Sequence, residues 1–401
     1  MKNIWIINQH AYPPGTSNWR RHYDLSKELI KYGYNINIIC GSFVHDKRTQ
    51  ILKRNEKFRL EEYDGIKYHI LKGMSYSNSI IRIISMIEFM LRVFFYEKNI
   101  QEKPEVIYSS CPHPFNGLTG LKLSKKYRAK FLLEIRDLWP ETWVAMGAMT
   151  EKNIIYKIFE YIEKLLYRKA DKIIGLMPGI EAISQKNISP NKIEWISNGV
   201  DLEEFDKNYL KEPKYKFSKE KYNILYTGSI GIANALEELF EVAKELEDTN
   251  IEFHFVGDGP LKEKYIKKCF NEKINNVKFY SSVKKNEVPS LLKEADLLII
   301  PIKKSSLYKY GLSPNKLFEY LVSRKPILIS TDTKYNIIDD AKCGIVVEPE
   351  NIMEIKKGIL KLKNLSKNEQ RNLGFNGRKY GEENFSITKL GEKLYNIIKI
   401  L

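Results

Sequence analysis

A chain of 401 residues with 66 Lys and Arg against 50 Asp and Glu carries a formal charge of +16, and its hydrophobic share of 43%, with 25 Tyr and 18 Phe, exceeds that of any uncompacted chain. Disorder and low-complexity arrays are excluded, and the length suits two domains of ordinary size. The basic excess draws the protein to polyanions: nucleic acid, anionic lipid or diphosphate-bearing substrates.

In chain order, the opening MKNIWIINQHAYPPG has an apolar run too short for a signal peptide and reads as a buried strand at Ile4 to Ile7. The loop Gln9 to Tyr23 follows. Its Gly15 lets backbone come near a phosphate, while Arg20 and Arg21 either grip an anionic acceptor or face outward in a first helical turn. Trp19 to Lys31 has helical spacing and stops at Gly33, before a strand at Asn35 to Cys40. The apolar stretch Ile80 to Lys98 contains Arg82, Glu88 and Arg92, which exclude a membrane span. It reads either as a helix lying on anionic lipid or as one buried in the core.

Strands are predicted next at Val106 to Ser109, Phe131 to Ile135, Lys172 to Leu176 and Lys192 to Ile196, with helices between them. SSCPHPFNG places His113 between two stiffening prolines just after a strand. Asp137, in EIRDLWPE, also follows a strand and can orient or deprotonate an acceptor hydroxyl; its neighbours Arg136 and Glu134 offer a structural ion pair instead. Residues 1–200 are expected to form one domain, the charged and aperiodic 201–222 a linker, 223–383 a second domain, and 384–401 a helix packing across the domain junction.

In the second half, strands are predicted at Asn223 to Tyr226, Glu252 to Val256, Val277 to Tyr280, Leu297 to Ile300, Pro326 to Ile329 and Ile345 to Val347. Alternating strands and helices in both halves predict an α/β protein of two doubly wound sheets, with ligands outside the carboxyl ends of the strands. Gly228 and Gly231 can admit a phosphate to the backbone. Gly257 and Gly259 form a tight turn, but Lys262 stands where a dinucleotide fingerprint needs glycine. In GLSPNKLFEY, Ser313 reads as an N-cap with Pro314 at the first helical position, which turns backbone amides toward a phosphate. Lys316 can add charge and Glu319 can accept from ribose hydroxyls; a capped helix with an exposed lysine and a solvated glutamate is the alternative. No Asp-x-Asp triplet occurs, and Cys40, Cys111, Cys269 and Cys343 lack paired spacing, so no metal or disulfide framework is predicted and a reducing cytoplasm fits.

GLSPNKLFEYLVSRKPILIS, with FVGDGPLKEKY, ADLLIIP, ADKIIGLMPG and KIEWISNGVDLEEF, resembles the retaining glycosyltransferases of family four, and LLEIRDLWPE resembles the bacterial members that build O-antigen and capsule polysaccharides. The resemblance runs through nearly the whole chain in order. It implies two Rossmann-like domains facing across a cleft (the GT-B architecture), a nucleotide-sugar donor, UDP-linked, on the second domain, a lipid-linked or oligosaccharide acceptor on the first, and no metal cofactor. It also implies retention assisted by the leaving phosphate, without a covalent nucleophile. His113 resembles the family histidine at the reacting centre, and Asp137 is the second catalytic candidate. Donor contacts are expected from Gly15, Gly228, Ser229, Gly231, Ser282, Val283, Gly311, Leu312, Ser313, Asn315, Lys316 and Glu319, and acceptor contacts from Arg20 and Arg21.

Two departures stand out. The family often has two glutamates separated by seven residues; Glu319 matches the second, and Gly311 occupies the first. An arginine and a lysine commonly meet the diphosphate where this chain has Ser229 and Asn234, so the charge falls to Lys316 or to Lys303 and Lys304. The expected enzyme works in the cytoplasm, free or peripheral on the cytoplasmic membrane face. A sugar-nucleotide epimerase or hydrolase of the same architecture is the alternative. A basic nucleic-acid binder is the third reading, without any zinc or RNA-recognition signature to support it.

Overall fold

Two units make up the chain, Met1–Ser197 with Ile387–Leu401 and Asn198–Ser386. The structure, a computed structural model, describes residues 2–145, 147, 149–231 and 234–401.

The first unit is built on an eight-stranded sheet. Its strands are β1 (Asn3–Ile7), β2 (Asn35–Gly41), β3 (Phe58–Tyr63), β4 (Ile66–Leu71), β5 (Val106–Cys111), β6 (Lys130–Ile135), β7 (Lys172–Gly175) and β8 (Ile193–Trp195). They lie in the order β8-β7-β6-β5-β1-β2-β4-β3, parallel except where β3 runs antiparallel to β4. Central strands are apolar on both faces because helices cover both sides. Along β1, Ile4 and Ile6 join the core under helices Arg21–Lys31 and Ile387–Lys399, while Trp5 and Ile7 join the core under helix Ser79–Tyr96.

The β3–β4 hairpin was not among the predicted strands. Its edge strand FRLEEY alternates half-buried with exposed positions, so no apolar run marks that strand, whereas IKYHIL of β4 is largely buried. Asp64 and Gly65 at its tip both take positive φ, 48° and 77°, and that dipeptide was the available signal. The C-terminal helix Ile387–Lys399 buries Leu390, Leu394, Ile397 and Ile398 in the first unit, and Tyr395 stacks on Tyr32 with ring centroids 3.9 Å apart. Gly391 permits this packing, since a Cβ there would stand 2.3 Å from that of Glu28.

The second unit has six parallel strands, β9 (Tyr222–Thr227), β10 (Ile251–Val256), β11 (Val277–Tyr280), β12 (Leu297–Pro301), β13 (Ile327–Ser330) and β14 (Gly344–Val347), ordered β11-β10-β9-β12-β13-β14. The expected linker belongs to this unit. Asp201 caps helix Leu202–Tyr209, Phe205 is buried, and Asp206 takes a two-pronged ion pair from Arg378, both contacts at 2.6 Å. Asp201 and Asp206 thus serve a cap and an ion pair, while Lys214, Lys219 and Lys221 further along are exposed. Chain order reverses direction between β1 and β5 in one sheet and between β9 and β12 in the other, and loops after those strands are where ligands of such sheets bind.

Candidate active site

In the second unit the loop Gly228 to Gly231 follows β9, and helix Asn315–Val322 lies against it. Tyr320, one turn into that helix, fixes the pairing: its hydroxyl receives the Thr227 amide at 2.8 Å and bonds the Thr227 hydroxyl at 3.1 Å. Lys316, one turn earlier, is thereby carried over the Tyr226 ring, with Nζ 3.8 Å from the centroid. Nζ is buried without a hydrogen-bond partner, and burial brings its pKa down to about 7 against the opposing pull of Glu319. Gly228 has φ 136°, and a Cβ there would come within 2.8 Å of that Nζ. The glycine thus leaves its backbone open beside an unsatisfied ammonium.

Gly257 and Gly259 hold the loop from behind. A Cβ on Gly257 would lie 1.8 Å from the Gly228 carbonyl oxygen, and one on Gly259 2.3 Å from that of Ile230. Gly257→Ala is accordingly expected to displace the Gly228 loop and destabilise the protein by about 1–3 kcal/mol. Thermal unfolding checks this, and an unchanged melting temperature would contradict it. Asp258 ties in the next loop, accepting from the Ser282 amide at 3.0 Å and from Lys262 at 2.9 Å, contacts that hold its carboxyl at about 2.

Several predicted donor residues stand differently from expectation. Ser313 does not cap the helix. Pro314 occupies the N-cap position without a side-chain cap, and the Ser313 hydroxyl accepts from the Asn198 amide at 2.9 Å instead. Leu312 is a core residue lining a small apolar recess with Leu317, Ile329 and Ile338. Gly311 adopts φ 110°, so the backbone there calls for glycine at the position where the resemblance led one to expect glutamate. Glu319 is buried and ion-paired to Lys285, not solvated. Ser229, Ser282 and Asn315 are exposed, Val283 is half-buried, and the Ser229 carbonyl accepts from Tyr226 at 2.7 Å and from Asn234 at 3.1 Å. Lys304 pairs with Glu348 at 3.6 Å and Lys303 is exposed, whereas the Lys316 Nζ lies at the Gly228 loop itself.

In the first unit, His113 is 1% exposed at the start of helix Pro114–Tyr127. Its Nε2 meets the Gln9 side-chain oxygen at 3.1 Å, its Nδ1 is buried without a partner, and burial holds its pKa at about 3. Sequence reading missed its neighbours. The His10 ring lies 6.4 Å from that of His113 and 5.8 Å from that of His45, and Trp19 faces both His10 and His45 at 5.7 Å. Tyr12 and Tyr76 hydroxyls hold His10 and His45 through Nδ1, each at 2.8 Å. Burial lowers the pKa of both histidines, and Arg82 lowers them further, so all three imidazoles are neutral at pH 7. Arg82 Nε is itself buried and unpartnered. These groups come from the loops after β1, β2 and β5 and from helix Ser79–Tyr96, and no spacing in the chain announces them. Gly15, at φ 80° nearby in sequence, is exposed with open space around it.

Arg21, expected to meet the acceptor, is buried and engaged by the protein's own groups. Its guanidinium donates to Glu134 at 2.9 and 2.7 Å, to the Ile196 carbonyl at 2.9 Å and to the Ser197 carbonyl. Glu134 also takes bonds from Ser110 and Tyr108, so Arg21, not Arg136, is its partner. Arg20 pairs with Asp24 at 3.0 Å along the same helix. Asp137 is exposed, yet the protein crowding its carboxyl lifts its pKa against the pull of Arg136 and Arg82. Among the described residues, no group of three His, Cys, Asp or Glu side chains is placed to hold a metal ion.

Residues 20–204 match the Glycosyltransferase Family 4 family and residues 209–380 the Glycosyl transferases group 1 family. The two halves of the chain thus each match a glycosyltransferase family. The chain is 22% identical over 207 residues to the probable glycosyltransferase WbjE of Pseudomonas aeruginosa, which is 50% of each chain. It is 27% identical over 271 residues to the putative colanic acid biosynthesis glycosyl transferase WcaI of Escherichia coli, 64% of this chain and 66% of that one. The first of these matches spans only about half the length of the relative. Its fold resembles sucrose-phosphate synthase of Thermosynechococcus elongatus, with a TM-score of 0.76, 14% identity and coverage of 100% and 98% of the two chains. It also resembles the Anabaena protein HepE in complex with UDP and glucose, with a TM-score of 0.69, 13% identity and full coverage of both. The chain therefore has the GT-B type of α/β fold, two Rossmann-like units with parallel sheets.

Proposed function

We propose that this glycosyltransferase moves a sugar from a UDP-linked donor, with retention and without a metal cofactor, to a lipid-linked saccharide in the assembly of a bacterial surface polysaccharide. The observation that carries the donor half is Lys316: a buried ammonium with no partner, beside the open backbone of Gly228 and the uncapped start of helix Asn315–Val322. A diphosphate satisfies all three at once. As UDP departs, negative charge grows on its phosphate, and Lys316 with the helix amides stabilises that charge where a metal otherwise would. Glu319 takes the ribose hydroxyls, exchanging them for Lys285. The departing phosphate accepts the acceptor's proton as the new bond forms on the same face.

The acceptor half rests on the first unit. Neutral His113 offers Nδ1 to a sugar hydroxyl, Trp19 offers a flat ring, and Asp137, with its raised carboxyl, orients the acceptor hydroxyl. Assignment to polysaccharide assembly is supported by the WcaI-like relative, and UDP by the HepE complex. The enzyme works on the cytoplasmic side.

Titration with UDP and a panel of UDP-sugars, followed by NMR of the product's anomeric proton, tests the reading; hydrolysis or epimer formation without transfer would favour the alternative enzymes. His113→Ala is expected to lower turnover about 100-fold with UDP affinity nearly unchanged. Full activity in that variant would return the histidine to a structural role.

A further inference from the structure

Two helices of the first unit turn apolar stripes away from the core. Helix Ser79–Tyr96 buries Met86, Phe89 and Val93 toward the sheet, yet on its opposite side Ile84, Ile87, Leu91 and Phe95 are exposed, Phe95 by 75%. Helix Ile154–Lys169 repeats the pattern, burying Tyr156, Phe159 and Leu166 while exposing Ile154, Ile155, Ile158 and Tyr161. Spacings of three and four place each exposed set on one helical face. Of the 17 exposed large apolar residues among those described, these two helices supply eight. The remainder do not form a second such pair of stripes.

Helix Pro114–Tyr127 lies between the two, in contact with both, and turns Lys122, Lys125 and Lys126 outward. Lys122 sits over the Phe94 ring at 4.4 Å. The acids on the flanking helices are already spent, Glu88 on Arg92 and Glu160 on Lys164, each at 2.7 Å. Among the described residues, Lys125, Lys157, Arg168 and Lys169 have no carboxylate partner. Apolar stripes interleaved with uncompensated cations match a surface that is oily beneath and anionic on top. No helix among the described residues is long and apolar enough to cross a membrane, so this face lies on its partner rather than spanning it.

We propose that the outer face of these three helices docks the enzyme on an anionic lipid bilayer, with Ile84, Leu91, Phe95, Ile154, Ile158 and Tyr161 at the acyl boundary and the lysines on headgroup phosphates. The proposal extends the membrane-lying alternative for residues 80–98 to a second helix, and for its purpose it rests on the lipid-linked acceptor proposed above.

Flotation with vesicles of equal parts phosphatidylglycerol and phosphatidylethanolamine, against vesicles of phosphatidylcholine, tests it on the full chain. Binding is expected to the anionic vesicles and to weaken with salt. Lys122→Glu with Lys125→Glu should reduce it roughly 30-fold, and Phe95→Ser with Ile158→Ser should abolish it, with UDP affinity unchanged in both and melting temperature unchanged in the serine variant, whose side chains face solvent. Equal binding to both vesicle types would overturn the proposal, as would full binding by both double variants. Self-association in the absence of lipid, lost in Phe95→Ser with Ile158→Ser, would overturn it in favour of a second copy of the chain. A wild-type enzyme that binds UDP but fails to float sinks the docking face alone; one that floats without binding UDP sinks the donor reading alone.

Discussion

Lys316→Met is expected to weaken UDP-sugar binding by roughly 100-fold or more while leaving the ligand-free protein as stable as the wild type or more so. Both effects have one cause. An ammonium buried over Tyr226 without a partner is a cost to the empty protein, and a methionine of similar length removes it. With a diphosphate present, the same ammonium makes a desolvated charge pair, and truncating such a pair costs about 2–5 kcal/mol. A merely structural lysine would lower stability on replacement, so calorimetry on the free and UDP-bound forms separates the two roles.

The same residue predicts a pH dependence. Its pKa falls from 10.5 to about 7 on folding. Below pH 7 the folded and unfolded chains both carry the proton and the destabilisation is fully present. Between 7 and 10.5 the unfolded chain holds a proton that the folded chain has released, so wild-type stability rises with pH relative to Lys316→Met. Diphosphate binding draws the proton back. UDP affinity should therefore fall by up to about tenfold per unit above pH 7, with proton uptake visible as a buffer-dependent binding enthalpy. Affinity that stays flat from pH 7 to 9 in the wild type would remove Lys316 from the diphosphate.

Arg21→Met should destabilise the first unit by about 3–5 kcal/mol, because it leaves a buried carboxylate without its cation. For a unit of this size that is a fall of roughly 10 °C in melting temperature. Burial alone would raise the Glu134 carboxyl, but Arg21 and His22 draw it well below the ordinary 4.5. Its contribution is thus present above that value and is lost as pH falls toward the folded pKa. In the variant the carboxyl takes up its proton at a higher pH. Arg21→Lys should recover only part of the loss, since one ammonium cannot reach Glu134 and the carbonyls of Ile196 and Ser197 together. Thermal melts across pH 4 to 8 check both variants, and a melting temperature unchanged in Arg21→Met would return that arginine to the acceptor role.

The twelve predicted strands were legible because a parallel strand covered on both faces must be apolar throughout, as Trp5, Ile6 and Ile7 or Leu297 to Ile300 are. The edge strand β3 escaped because it is half wet and its pattern is diluted by charge, and without it the largely buried β4 beside it was also passed over. The helix after Tyr310 was read nearly in place, one residue early, since Ser313 looks like a cap until Asn198 claims its hydroxyl from 115 positions away. Residues 201–222 were read as a linker because they are rich in charge and lack periodicity, and that pattern could not show that Arg378 from far along the chain turns Asp206 into an anchor.

Sequence alone determined what local pattern encodes: two parallel α/β halves, the glycine loop after Tyr226, and Lys316 and Glu319 one turn apart on a helix. Only the tertiary structure decided which polar groups are left unsatisfied. Tyr320 had to lock its helix to Thr227 before Lys316 Nζ could be stranded beside Gly228. Likewise, three separate loops had to converge before His10, His45 and His113 could share one neutral cluster and Arg21 could be consumed by Glu134. A hydrogen bond or a burial cost belongs to a pair of positions in space, and separation along the chain carries no record of it.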